Sequence, residues 1–153
     1  MTLTFARVSR DGESQQVPQP VAGEPGFVLI DVTWGMIQPM SVADGVRTIG
    51  ERELMEHVDG GGTLIDARTA DEFGAGTIPG ARNLYHGDIG DRAGEVRSVA
   101  PVVLFCNGPQ CVQSPDAIRT LLGDGLPPKD LLYYRGGIHD WVTLGLPIEP
   151  GED

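Results

Sequence analysis

The stretch "LFCNGPQCVQSPDAIRTLL", residues 104 to 122, contains both cysteines of the chain, Cys106 and Cys111. A pair of cysteines can bind a metal, form a disulfide, act as a redox pair, or supply one nucleophile beside an inert thiol. Two cysteines in 153 residues are too few for a disulfide scaffold, and in a reducing compartment cysteines serve more often in catalysis or in the core. The sequence therefore disfavours a structural disulfide.

A metal site is also disfavoured by the positions of the other potential ligands. The three histidines, His57, His86 and His139, are scattered along the chain, whereas zinc sites pair their ligands at short spacings. We expect no metal and no cofactor.

Composition limits the class of protein. A chain of 153 residues with 40% hydrophobic content can bury one ordinary core. The net charge of −11 and the single lysine, Lys129, argue against a nucleic-acid partner or an anionic membrane surface, since both need clustered positive charge. The N-terminal residues lack a charged segment followed by an apolar one, and no apolar run approaches membrane-spanning length. We expect a cytoplasmic protein.

Alternating strand and helix patterns predict an α/β fold with a mostly parallel central sheet flanked by helices. The predicted strands are 27–34, 63–68, a short one ending near 84, 101–105 and 130–134, and the predicted helices are 52–58, 70–73, 115–122 and a short one carrying Trp141. Strand 101–105 is apolar on both faces, as expected in the middle of a parallel sheet. We expect residues 1–45 to be a partly irregular N-terminal extension, with strand 27–34 in it, and residues 46–153 to form the domain.

Cys106 then lies at the carboxyl end of a central strand, where α/β proteins bind ligands. Ser114 is a preferred N-cap and Pro115 suits a first helical position, so the following helix directs its positive end at the loop. We expect backbone N–H groups around the sulfur to favour the thiolate and to accommodate a persulfide. The expected donors are Asn107, Gly108, Gln110, Cys111 and Val112.

Three pieces of the sequence carry a family resemblance: "TLIDARTADEFGAGTIPGARNL", "VVLFCNGPQC" and "YYRGGIHDWVTLGLP". In this order and spacing they resemble a single-domain rhodanese, a sulfurtransferase fold with a parallel sheet. The resemblance implies that Cys106 takes a sulfane sulfur from a donor and passes it to a thiophilic acceptor. It also implies that Asp66 and Arg68 organise the site from below, and that Gly136 and Gly137 are the family's glycine pair.

The chain departs from the family in its loop. "NGPQC" matches neither the thiosulfate-using nor the mercaptopyruvate-using relatives, so the donor stays open. Relatives that handle phosphate or arsenate need an arginine six positions after the cysteine to clamp the oxyanion, and that position is Val112 here. Thr77 stands where the family usually has a histidine, which we interpret as a structural substitution.

Two roles are open for Cys111. It could be a resolving thiol that attacks a Cys106 persulfide, releases sulfide and leaves a disulfide. Alternatively, its side chain turns into the core as a small apolar residue and only its N–H serves the loop.

The remaining candidate residues have weaker signals. His86 could lie at the mouth of the site or in a solvated loop, His139 decorates the last short helix, and Trp141 packs in the core. Arg82 and Arg135 could attract an anionic donor or form surface salt bridges. Trp34 lies in an apolar segment that could cover the sheet or meet a second subunit.

We expect a sulfurtransferase that needs no cofactor, with a small anionic sulfur donor and a thiol or cyanide as acceptor. The alternative is a non-enzymatic rhodanese-like sulfur carrier or protein-binding module. The N-terminal extension keeps this alternative open and could also form a homodimer.

Overall fold

The computed structural model describes residues 6–9, 19–20, 22–25, 27–30 and 37–152. The strands are β1 (Ala6–Ser9), β2 (Gln19–Pro20), β3 (Phe27–Ile30), β4 (Arg47–Thr48), β5 (Thr63–Asp66), β6 (Ala81–Asn83), β7 (Val102–Phe105) and β8 (Leu131–Tyr133). The helices are α1 (Glu51–Asp59), α2 (Ala70–Ala75), α3 (Ala93–Val99), α4 (Gln113–Gly123) and α5 (Gly137–Thr143). Two 3₁₀ turns, Ile89–Arg92 and Pro128–Asp130, complete the described elements.

The strands form two separate sheets. The central sheet has the order β4-β8-β7-β5-β6, and all its paired strands are parallel. This arrangement confirms the predicted α/β fold with a parallel sheet. The second sheet has the order β1-β3-β2, in which β3 is parallel to β1 and antiparallel to β2. The first half of the predicted strand 27–34 is β3, and its second half, including Trp34, lies outside the described residues.

The middle of the central sheet is apolar on both faces, as the sequence predicts. All four side chains of β7 are buried. On one face Leu104 packs with Val96 of α3 and Ile118 of α4, and on the other Phe105 packs with a second cluster that includes Trp141 of α5. No helix in the described parts of the chain is long and apolar enough to cross a membrane.

Neither α3 nor the 3₁₀ turn before it is predicted from the sequence. Glycine and charged residues dominate this segment, which weakens its helical signal. Its buried residues are Ile89, Ala93 and Val96, four and then three positions apart, which is the spacing of one helical face. Packing against α4 therefore stabilises a segment whose composition alone does not favour a helix.

The start of α4 also differs from the prediction. The helix begins at Gln113 with Val112 as its N-cap residue, whereas the sequence analysis placed the N-cap at Ser114. Ser114 is a helical residue and its side chain is fully buried. A capping preference is one local term in the energy, and here the contacts of Ser114 in the interior outweigh it.

Gly137 allows β8 and α5 to approach the loop between β7 and α4, residues 106–112, which we call the cysteine loop. Its φ is 60°, in the left-handed region, and a Cβ there would lie 2.4 Å from the carbonyl oxygen of Cys106 and 2.7 Å from the nitrogen of Gly108. A residue with a Cβ would therefore meet both backbone strain and a collision with backbone atoms.

We expect Gly137→Ala to lower the free energy of unfolding by more than about 2 kcal/mol, since the left-handed backbone alone costs about 1–2 kcal/mol. Gly94→Ala is the matched control, because Gly94 lies in α3 where an added Cβ would point into open space, and alanine favours a helix by about 1 kcal/mol. Urea unfolding followed by tryptophan fluorescence measures both. Equal stability of the two variants would contradict the close approach.

Candidate active site

Cys106 follows β7 directly and only 2% of its surface is exposed. Its Sγ accepts a hydrogen bond from the backbone N–H of Ser114 at 3.3 Å and lies 3.1 Å from the Ser114 hydroxyl oxygen. The protonated thiol can donate to the carbonyl oxygen of Cys111 at 3.6 Å. The sulfur thus faces the first turn of α4, whose N–H groups carry partial positive charge.

The pKa of Cys106 is lowered. Burial of the sulfur alone raises the pKa, but hydrogen bonds from the Cys111 thiol, from the Ser114 hydroxyl and N–H, and from the Asn107 N–H outweigh it. These groups stabilise the thiolate over the thiol. A thiolate stabilised in this way needs no histidine base to be ionised.

The donors around the sulfur agree only in part with those that the sequence suggested, since the Asn107 N–H is among them. The N–H of Cys111 donates to the carbonyl oxygen of Gly108 at 2.9 Å and closes the loop. Val112 is 43% exposed at the N-cap position. Ser114, which the sequence analysis treated only as a cap, donates its N–H to the sulfur. A serine in the first turn of a helix beside a strand-end cysteine is the signal that could have identified it.

Below the loop lies a buried ion pair, formed by Asp66 and Arg68. Arg68 Nη2 is 2.7 Å from Asp66 Oδ2, Arg68 Nε is 3.0 Å from Asp66 Oδ1, and both side chains are fully buried. Arg68 also donates to the carbonyl oxygen of Gly76 at 2.6 Å. Burial acts to lower the pKa of Arg68, but the charge and hydrogen bond of Asp66, together with the charges of Glu72 and Cys106, outweigh it and raise the pKa. The guanidinium therefore stays charged beneath the site.

The ion pair continues into the cysteine loop through Asn107. Arg68 Nη1 donates to Asn107 Oδ1 at 3.3 Å, and Asn107 Nδ2 donates to Glu72 Oε2 at 3.0 Å. Thr77 donates its hydroxyl to Asp66 Oδ2 at 2.8 Å from the other side, so it is a structural partner of the ion pair. These bonds hold Asn107, the residue after Cys106, by its side chain.

The first turn of α5 holds the cysteine loop from a second direction. The N–H groups of Ile138 and His139 donate to the carbonyl oxygens of Cys106 and Asn107, at 3.1 and 2.8 Å. These contacts explain the glycine pair Gly136 and Gly137, because a Cβ at Gly137 would collide with the same loop. With their carbonyls bound here, the loop residues present the sulfur to α4.

Gln38 lies across the loop from the N-terminal side. Its N–H donates to the carbonyl oxygen of Pro109 at 2.7 Å, and its carbonyl oxygen accepts from Nε and Nη2 of Arg135 at 3.0 and 2.9 Å. Neither expectation for Arg135 included this contact. Gln38 gave no sequence signal, because only its backbone groups make these bonds.

The other candidate residues lie at different places. Arg82 is 3.6 Å from Glu95 at the surface, which agrees with the surface salt bridge that was one of its two expected roles. His86 is half-buried with its ring edge-on to Tyr85. The Nδ1 of His139 is 3.0 Å from Asp140 in α5. Trp141 is buried beside Tyr134 and donates to the carbonyl oxygen of Pro147.

The hydroxyl of Tyr133 is buried without a hydrogen-bond partner among the described residues. Burial raises the pKa of Tyr133, and negative charge at Cys106 raises it further, with a smaller effect from any charge at Cys111. The hydroxyl is therefore within electrostatic reach of both sulfurs. An unpaired buried hydroxyl costs about 1–3 kcal/mol.

No group of three or more His, Cys, Asp or Glu side chains in the described ranges is arranged to hold a metal ion. The chemistry available at the site is that of a buried thiolate in a ring of donors.

Comparison with known proteins gives a consistent match. The family model of the rhodanese-like domain matches residues 51–144. An HTH-type transcriptional regulator of Mycobacterium tuberculosis, Rv0324, is 36% identical over 104 residues, which cover 67% of this chain and 45% of the regulator. The chain thus spans less than half the length of this relative.

Solved structures share the fold. The rhodanese-like domain of the Alr3790 protein from Anabaena sp. has a TM-score of 0.55 at 23% identity, over 67% of this chain and 78% of that domain. The thiosulfate sulfurtransferase of Pseudomonas aeruginosa has a TM-score of 0.56 at 24% identity, over 70% of this chain and 21% of that protein.

We expect Ser114→Ala to move the pH midpoint of Cys106 alkylation to higher pH. The substitution removes the Ser114 hydroxyl, which lowers the pKa of Cys106, and iodoacetamide reacts with the thiolate. Alkylation below the midpoint then slows severalfold, as measured by peptide mass spectrometry across a pH series. Ser98→Ala, at an exposed serine of α3, is the control. An unchanged midpoint in Ser114→Ala would exclude the hydroxyl as a donor to the thiolate.

We expect Arg68→Lys to lower the free energy of unfolding by about 3–5 kcal/mol, because lysine keeps the charge but cannot span the partners of a buried ion pair. Arg119→Lys is the control, since the Arg119–Asp116 pair is exposed and such pairs contribute less than about 1 kcal/mol. Urea unfolding gives both values. A loss in Arg68→Lys no larger than in the control would show that the pair is not structural.

Proposed function

The chain belongs to the rhodanese-like domain family, and on that basis we propose that it is a sulfurtransferase with Cys106 as its nucleophile. Cys106 takes a sulfane sulfur from a small anionic donor and passes it to a thiol or to cyanide. The single observation that carries this proposal is the buried Cys106 sulfur, which accepts hydrogen bonds in the first turn of α4 and has a lowered pKa.

The first half-reaction transfers one sulfur atom to the enzyme. With thiosulfate as donor, the Cys106 thiolate attacks the outer sulfur, an S–S bond forms at Sγ, and the S–S bond of thiosulfate breaks with its electron pair on sulfite. The product is a Cys106 persulfide anion. In the second half-reaction the acceptor attacks the outer sulfur, and the electron pair of the broken bond returns to the Cys106 thiolate.

The surroundings of Cys106 suit an anion that grows by one sulfur atom. The donors of Ser114 already face the thiolate, and Arg68 interacts electrostatically with Cys106 from below. Fixed donors of this kind stabilise negative charge without reorganisation during the reaction. Since Val112 takes the place of an oxyanion-clamping arginine, a donor of sulfane sulfur fits this loop better than a phosphate or arsenate ester.

The proposed chemistry requires a free thiol at Cys106, and both cysteines are free. Reducing compartments such as the cytoplasm keep thiols in this state, so we place the activity there, in sulfur metabolism. Neither half-reaction needs a cofactor.

A second candidate is a sulfur-carrying or protein-binding module without turnover of its own. The relative from M. tuberculosis favours it, because that protein is named as a transcriptional regulator and is more than twice as long as the matched segment. In that case Cys106 holds sulfur, or binds a partner, and the rest of a longer assembly gives the protein its role. The two candidates differ in whether free cyanide or thiol discharges the persulfide.

We expect each chain to take up one sulfur atom from thiosulfate, mercaptopyruvate or glutathione persulfide, seen either as a gain of that mass, which cyanide then removes, or as released sulfide. Cys106→Ser should gain nothing, since serine cannot form a persulfide. Intact mass spectrometry under non-reducing conditions measures both. Because the wild-type pair could discharge the sulfur itself, Cys111→Ser is loaded in parallel as the form that keeps it.

Absence of an adduct and of released sulfide with every donor, in both the wild type and Cys111→Ser, would disprove the sulfurtransferase. An adduct that neither cyanide nor a thiol removes would favour the carrier module.

A further inference from the structure

Cys111 is fully buried next to the nucleophile. The hydrogen bond from its own N–H to Gly108 closes the loop, and its carbonyl oxygen lies 3.6 Å from the sulfur of Cys106. Its thiol lies 3.6 Å from the side-chain oxygen of Gln113. Both cysteines are free and neither is exposed. The loop therefore brings a second thiol to the nucleophile and shields both from solvent.

The two sulfurs interact electrostatically. The Cys111 thiol is a hydrogen-bond donor to Cys106, which lowers the pKa of Cys106. Burial, followed by this hydrogen bond and the charge of Cys106, raises the pKa of Cys111 far above that of an ordinary thiol. One sulfur is thus the anion and the other holds the proton. This arrangement differs from a cysteine whose side chain merely fills the core, because the charge of Cys106 acts on the Cys111 thiol.

The buried hydroxyl of Tyr133 lies within electrostatic range of Cys106 and Cys111. The hydroxyl of Tyr133 has no partner among the described residues, and charge at either sulfur affects it. Buried polar groups are almost always hydrogen-bonded, so this hydroxyl is a donor whose hydrogen-bonding capacity the described residues do not use. An extra sulfur on Cys106 is an anionic acceptor of suitable chemistry.

We propose that Cys111 is the resolving thiol of a Cys106 persulfide, so that the protein releases sulfide and forms a Cys106–Cys111 disulfide. This inference rests on the proposed function, because it begins with the persulfide. It adds a reaction in which the sulfane sulfur is reduced rather than transferred to an external acceptor.

The step balances within the site. The Cys111 sulfur attacks Sγ of the Cys106 persulfide, the new S–S bond joins the two cysteines, and the bond to the outer sulfur breaks. The proton of Cys111 leaves with that sulfur, so the products are one disulfide and one hydrosulfide ion. The sulfane sulfur gains two electrons and the two cysteines lose them. A thiol reductant then supplies two electrons and two protons to restore both thiols.

The high pKa of Cys111 has a use in this reaction. The Cys111 thiol first gives its proton to the outer sulfur of the persulfide anion, and the resulting Cys111 thiolate is the attacking form. The outer sulfur then departs as hydrosulfide rather than as an unstable dianion. A free thiolate at position 111 would also repel the Cys106 anion. The neutral thiol allows both cysteines to share one buried site until a sulfur arrives.

The test is carried out without oxygen, so that the donor's sulfane sulfur is the oxidant supplied. The reduced wild type, Cys111→Ser and Cys106→Ser are each incubated with thiosulfate and, in a parallel series, with glutathione persulfide. Small molecules are then removed. Free sulfide is measured, remaining thiols are alkylated under denaturing conditions, and intact and peptide masses are recorded.

We expect the wild type to release one sulfide per chain and to lose two hydrogens, with a Cys106–Cys111 peptide crosslink. Cys111→Ser keeps a hydroxyl donor in place of the thiol, so we expect it to retain the extra sulfur and to release no sulfide. Cys106→Ser should do neither. A dithiol added to the oxidised wild type should restore both thiols.

A wild type that holds a stable persulfide with Cys111 still free would overturn the resolving role and leave the proposed function intact. A wild type and a Cys111→Ser variant that both fail to take up sulfur would refute the proposed function itself, and the inference with it. The crosslink is read in the wild type, so the resolving role remains testable even if Cys111→Ser does not fold.

Discussion

The ion pair between Asp66 and Arg68 is the interaction on which the site depends. A fully buried guanidinium is stable only when its charge is matched and its donors are bound. The acceptors are the carboxylate of Asp66, the carbonyl oxygen of Gly76 and the side chain of Asn107. These groups come from the end of β5, from the end of α2 and from the cysteine loop. The bonds that neutralise the charge therefore also fix three segments against one another.

The cysteine loop is determined by how its polar backbone groups are satisfied. Its carbonyl oxygens at Cys106 and Asn107 are bound by the first N–H groups of α5, at Ile138 and His139. With its carbonyls bound on that side, the loop places its sulfur at the other side, in the first turn of α4. Buried backbone groups must be paired, and here that requirement sets the direction of the Cys106 sulfur.

Two opposing terms set the reactivity of the site. Desolvation acts against an anionic sulfur, whereas four hydrogen-bond contributions from Cys111, Ser114 and Asn107 favour it. Together these contributions outweigh desolvation, and the pKa of Cys106 is lowered. The same dry surroundings strengthen each of those bonds. They also explain the contrast between the two cysteines. A second buried anion so close to the first is unfavourable, so one thiol ionises and the other does not.

The sequence by itself determined the fold class, the central apolar strand and the position of Cys106 at its end. These features follow from the hydrophobic pattern, because a continuous apolar run such as Val102–Phe105 indicates a strand that is buried on both faces. The positions of Asp66 and Arg68 after the strand Thr63–Asp66 were available only through the family resemblance, because no local pattern marks their ion pair. The pattern failed for α3, where packing alone favours a helix.

Only the tertiary structure decided which groups face the sulfur. Each residue along a helix turns the side chains by about 100°, so a start at Gln113 rather than Pro115 changes what Ser114 faces. The backbone contacts of Gln38 with Arg135 and Pro109 likewise depend on residues far apart in the chain. Local sequence specifies which groups are buried, whereas their partners are set by long-range packing, in which every buried donor and acceptor must be satisfied at once.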